Sequence, residues 1–259
     1  MSNTTFPDSI STAASSIDDA ISQITHIINW AKQNDSRIGY FAALYRQILE
    51  QTKIRIEQNV FDNEPRVTRL TVIFANRYIH ACFQYLTGQL PSRSWLAAFH
   101  ETKRWRPIVL QHLLLGMNAH INLDLGIAVV DTVPASELPD MKNDFDKINM
   151  VLASQVEGVQ QKLAGIWPLL RLLDTLLADA DNIVINFSME KAREAAWSFA
   201  ESLAPLSEEL REQEIMKKDQ TVALFSEVIS RPGFAKSFAC FMIRLGERGT
   251  IRRHIEILE

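Results

Sequence analysis

Residues 107–130 read PIVLQHLLLGMNAHINLDLGIAVV. A single full charge, Asp124, stands in this stretch, one helical turn after His120. Apolar side chains fill nearly every other position, so the segment must be buried along most of its length. It also carries Gln111, His112, Asn118, His120, Asn122 and Asp124. Each of these loses water on burial and needs a partner: a side chain, a metal, a ligand or ordered water. The stretch therefore reads as a buried central helix, about 107–131, and as the place where chemistry would sit.

Outward from it, the chain looks all-α. Glycine and proline number nine each and fall where helices should end, and apolar residues recur at spacings of three and four. Helices are expected over about 16–33, 37–59, 65–86 and 92–103, with Asp62-Asn63-Glu64-Pro65 supplying a cap and a first-turn proline. After a loop at 132–139, helices are expected over 140–165, on to 177 beyond Pro168, over 187–203 and over 205–230. A final pair at 234–257 is divided by Gly246-Glu247-Arg248-Gly249. No linker or internal repeat divides the chain. The expectation is a disordered lead-in at 1–15 and one multi-helix bundle domain of about nine helices at 16–259.

Composition excludes several classes. Net charge is −4 and pI about 5.9, without the basic excess of a nucleic-acid binder. The two cysteines, Cys82 and Cys240, read as buried free thiols of a cytoplasmic protein. MSNTTFPDSISTAASS has neither the basic start nor the apolar core of a signal peptide. The 107–130 segment is long enough to span a bilayer, but Asn118, His120, Asn122 and Asp124 argue against a transmembrane reading. Nucleophile-elbow, phosphate-loop and dinucleotide motifs are absent, as are nucleotide, flavin and haem signatures. The one cofactor the residues suggest is a divalent metal. Oligomeric state stays open.

At about 100° per residue, His120 and Asp124 share one helix face, and Asn118 and Asn122 share another, roughly 160–200° away. His112 points within roughly 80° of His120, two turns earlier. Gly116, between them, leaves room for a close neighbour. The 65–87 helix is the natural counterpart. Between Thr71 and Leu86 its only permanent charge is Arg77, with His80 nearby. One reading pairs Arg77 with Asp124 as a buried structural network that includes His120. The other makes His120 and Asp124 metal ligands or an acid–base pair. Further metal ligands would come from His80, His100, His112 or Glu190. Arg77, His80, His112, Asn118 and Asn122 are the candidate ligand-binding residues, although the two asparagines cannot share one narrow pocket with His120 and Asp124.

The H-x-x-x-D spacing resembles one element of the helical zinc-dependent phospholipase C and P1 nuclease family. That family's H-x-x-x-H helix and its terminal tryptophan ligand have no counterpart here. A carboxylate-bridged di-iron bundle needs Glu-x-x-His, and no histidine here has a glutamate three residues before it. Trp95, Trp105, Trp167 and Trp197 read as core residues. The segment FAKSFACFMIRLGERGTIRRHIEIL combines aromatic and basic residues. It can dock on the body of the protein or rest on an anionic membrane surface.

LQHLLLGMNAHINLDLGIA, with FANRY upstream and NDFDKIN and INFSMEKAR downstream, resembles a bacterial all-helical family of unknown function. The resemblance runs from about Ile17 to Leu258. It implies a common helical fold, marks Asn118, His120, Asn122 and Asp124 as family-like positions, and implies no activity. Three functions remain open: a metal-dependent or small-molecule hydrolase-type enzyme centred on His120 and Asp124, a non-catalytic binding or scaffold protein, and a peripheral membrane protein using residues 234–257.

Overall fold

The structure, a computed structural model of the chain, describes residues 10, 12–154, 162–163, 165–166 and 189–259. Those residues are all-α, without a strand among them. Among the described residues run ten helices: α1 (Ile17–Gln33), α2 (Ile38–Glu57), α3 (Glu64–Leu86), α4 (Arg93–Thr102), α5 (Val109–Thr132), α6 (Lys142–Ser154), α7 (Met189–Leu203), α8 (Glu208–Ser230), α9 (Phe234–Gly246) and α10 (Ile251–Leu258). The helix expected on to 177 beyond Pro168, a turn expected at Asp179-Ala180-Asp181-Asn182, and Trp167 and Pro168 themselves lie outside the described residues.

Side-chain caps mark several of the helix starts. The Ser16, Asn63, Ser92 and Thr250 side chains accept from the backbone N–H three residues on, at α1, α3, α4 and α10. Asp35 and Asn59, which follow α1 and α2, take positive φ. Two long-range carboxylates supplement these local caps. Asp144 of α6 accepts from the N–H groups of Asp62 (2.6 Å) and Asn63 (3.2 Å) before α3, and pairs with Arg66 at 2.7 Å. Asp219 of α8 accepts from the N–H groups of Arg93 (2.7 Å) and Ser94 (2.9 Å) at the start of α4. A carboxylate at a helix N-terminus meets unpaired donors and the positive end of the dipole, so both buried acids stabilise the fold.

Helix α5 runs through the middle, with α2, α3, α4, α7 and α8 packed around it. Among the described residues it is the one helix long and apolar enough to cross a bilayer, and 89% of its apolar window is buried inside the protein. The reading of this segment as a central core helix is thus met. Two glycines allow close approach. A Cβ at Gly116 would lie 2.5 Å from the Phe41 ring, and one at Gly126 would lie 2.8 Å from the Ala196 carbonyl of α7. α10 docks on α1 and α2, burying His254, Ile255 and Leu258.

The described part of the lead-in is fastened to the body. Ile10 and Ala14 are buried, and Asn76 of α3 bonds both the N–H (2.7 Å) and the carbonyl (2.9 Å) of Ala14. This segment packs because an asparagine side chain can imitate a backbone partner. Its sequence carries no sign of that distant residue. Trp105 also departs from expectation. It lies past the end of α4 in the 103–106 loop and is 50% exposed, whereas Trp95 and Trp197 are core residues.

Candidate functional site

Midway along α5 the hydrogen bonding slips by one residue. His120–Asp124 forms a π turn, with the Leu125 N–H bonded to the His120 carbonyl. Such turns are uncommon and recur at functional sites. Here the turn carries the two residues singled out from sequence, which are 3% and 1% exposed.

Asp124 accepts from three helices. Arg77 Nε of α3 lies 2.8 Å from Oδ1, and Trp95 Nε1 of α4 lies 2.8 Å from Oδ2. His120 Nδ1 lies 3.2 Å from Oδ2. Burial pushes the Asp124 carboxyl up, but the Arg77 charge and the His120 and Trp95 hydrogen bonds outweigh it and hold it below the ordinary carboxylate range. Burial lowers the His120 imidazole, offset in part by Asp124. The group is therefore a guanidinium, a carboxylate and a neutral imidazole. With Asp124 ionised, only the tautomer carrying hydrogen on Nδ1 makes the His120 bond.

That tautomer leaves Nε2 as a bare lone pair, and Nε2 has no hydrogen-bond partner. The imidazole sits in an aromatic cage. Phe74 stacks on it at 3.6 Å and 6° between planes, and Tyr45 meets it edge-on at 4.5 Å. Phe41, Tyr78 and Trp95 complete the surround. The Tyr45 hydroxyl is also buried without a partner. Arg77 is 30% exposed and Phe74 is partly buried, so these two α3 residues stand between the dyad and solvent.

The two asparagines face the other way, as the helical spacing indicates. Asn118 Nδ2 donates to the Val222 carbonyl (2.9 Å) and to Ser226 Oγ (3.0 Å) of α8, while its oxygen accepts from Asn122 at 2.8 Å. They bridge helices, away from Asp124. His80, His100 and Glu190 are exposed. Among the described residues no group of three or more His, Cys, Asp or Glu side chains could hold a metal ion. Gln111 joins the start of α5 to the end of α8, accepting from the Ile108 N–H at 3.1 Å and donating to the Ile229 carbonyl at 2.7 Å.

His112 belongs to a different cluster. Eight residues from His120, it lies roughly 12 Å along the axis. Its ring meets Tyr40 edge-on at 5.7 Å, and neither nitrogen has a hydrogen bond within normal limits. Burial, aided by the Arg37 and Arg244 charges, pulls its imidazole down to about 3. Tyr40 Oη lies 3.2 Å from His254 Nδ1, and His254 Nε2 lies 3.0 Å from the Arg248 carbonyl. Glu247 accepts from the Val109 N–H at 2.7 Å and from Arg244 at 2.8 Å, capping α5 with the α9–α10 connection. Sequence reading met this cluster only through His112.

The role of Trp95 was also missed. Its signal was the indole N–H, a donor that needs a partner when buried. No curated protein and no solved structure matches the chain. A family model does match residues 17–232, ending just before α9. The chain, with its closed network around Asp124, belongs to the family of unknown function DUF5995.

Proposed function

We propose that the chain is a non-catalytic binding or scaffold protein in which Arg77, Trp95, His120 and Asp124 form a structural network that sets the register of α5 against α3 and α4. The observation that carries this reading is the filling of both Asp124 oxygens by donors from three helices. A catalytic carboxylate or metal ligand needs an open position, and this one is enclosed by its own fold. The buried free thiols Cys82 and Cys240 support a reducing, cytoplasmic compartment.

One feature favours an enzymatic alternative: Asp124 orients His120 so that Nε2 is a free base within a π turn. That role requires Phe74 or Tyr45 to move aside.

Thermal and denaturant unfolding of Asp124→Asn and His120→Ala tests the structural reading. Removing the charge leaves Arg77 without its anion and turns one carboxylate oxygen into a donor facing donors. The expected loss for Asp124→Asn is about 2–4 kcal/mol, somewhat below the cost of breaking a fully buried pair because Arg77 reaches solvent. Unchanged or raised stability in both variants would instead mark a site held under strain for chemistry.

A further inference from the structure

We propose that the outward face of α9, together with Trp105, docks on an anionic membrane surface. A helix on a globular body normally turns its apolar stripe inward. α9 does the reverse. Phe234 (94% exposed), Phe238 (62%), Phe241 (39%), Met242 (50%) and Leu245 (57%) all point to solvent. At about 100° per residue they fall within roughly 100° of one another. The opposite side holds the helix to the body through buried Cys240. Trp105 extends the stripe, its ring meeting Phe241 at 6.4 Å. Arg244 joins loop and helix: it donates to the Trp105 carbonyl at 2.7 Å, and its guanidinium lies 5.2 Å from the ring centroid.

Charge identifies the occupant. Residues 231–248, which span α9 and its flanks, contain four basic residues and one acidic one, Glu247, in a chain whose net charge is −4. Glu247 is turned inward as the cap of α5 and offers no anion to the surface. Arg106, Arg231 and Arg248 are exposed and have no ion pair among the described residues. An aromatic stripe with exposed arginines next to it in the chain, beside Trp105 and just before and after α9, matches the interface of an anionic bilayer, where rings sit at the headgroup level and guanidinium groups meet lipid phosphates. A second copy fits worse, since an isologous contact through this stripe would bring the two sets of arginines together. The expected alternatives for the 234–257 segment thus divide between its two helices: α10 docks on the protein and α9 presents the membrane face. This inference is independent of the Asp124 network.

The test is co-sedimentation of the full chain with vesicles of phosphatidylcholine alone and of phosphatidylcholine with about one-third phosphatidylserine, at low and high salt. Phe234→Ser/Phe238→Ser removes the two most exposed rings of the stripe without touching the core, and circular dichroism and melting temperature check that it stays folded. The wild-type chain is expected to pellet with the anionic vesicles only, with partitioning falling about tenfold or more at high salt and in the double variant. Three results would overturn the proposal: no binding to the anionic vesicles, equal binding by the folded double variant, or sedimentation as a dimer that the double variant disperses.

Discussion

His112 makes the stability of this protein sensitive to mild acid. Its imidazole is held at about 3 in the fold, against an ordinary value of 6.5. A base with a depressed native pKa takes up protons in the unfolded chain first. Its full contribution is present above about 6.5 and is lost as pH falls toward about 3. At about pH 4.5 the unfolded histidine is two units below its pKa and charged, while the native one is still neutral. At about 1.4 kcal/mol per unit, this difference costs about 3 kcal/mol. The groups that bear on His112 are the Arg37 and Arg244 cations, the Tyr40 ring and the Pro107 backbone. The neighbouring Glu247 carboxyl, raised by burial, acts in the opposite direction and is common to wild type and variant. His120 and His254 are lowered as well and act in the same direction. The assay is urea unfolding followed by circular dichroism at several values between about pH 7 and 4.5, for the wild type and His112→Phe. The variant keeps an aromatic edge against Tyr40 and should lose stability less steeply, by up to about 1.4 kcal/mol per pH unit. Parallel pH profiles for the two proteins would refute the reasoning.

Two further substitutions probe the packing that positions the network. Gly116→Ala would place its Cβ 2.5 Å from Phe41, a ring held among Tyr45, Tyr78, Trp95 and His120, so it cannot yield cheaply. Thermal melts should show a net loss of about 1–3 kcal/mol despite the better helix propensity of alanine. Asp144→Ala should cost about 2–3 kcal/mol in denaturant unfolding, because it strips two backbone donors and Arg66 of one buried acceptor.

The core of this arrangement was legible because charge is scarce in it. One cation between Thr71 and Leu86 and one anion in 107–130 point to each other, and they meet at 2.8 Å. The division of α5 into a His120–Asp124 face and an Asn118–Asn122 face follows from helical spacing, and the π turn does not disturb it. The third partner was not legible. Whether the Trp95 indole aims at Asp124 depends on how α4 crosses α5, which periodicity does not encode. The same limit separates His112 from His120. Their similar angle around the axis suggested one site, but two turns of rise place His112 among Arg37, Tyr40 and Arg244 instead. For α9, the sequence pattern reveals an apolar stripe without saying which way it faces. In the structure, buried Cys240 marks the inner face, and Glu247 ties the far end of the helix to the start of α5.

The central claim is that Asp124 is held as part of the framework and not for chemistry. A double-mutant cycle on Arg77→Met and Asp124→Asn, read by equilibrium unfolding of the two single variants and the double, tests it most directly. The 2.8 Å charged hydrogen bond, partly shielded from solvent, should give a coupling energy of about 1.5–3 kcal/mol with both single variants destabilised. A coupling near zero, or single variants as stable as the wild type, would contradict the structural role and return His120 and Asp124 to the status of an active-site pair.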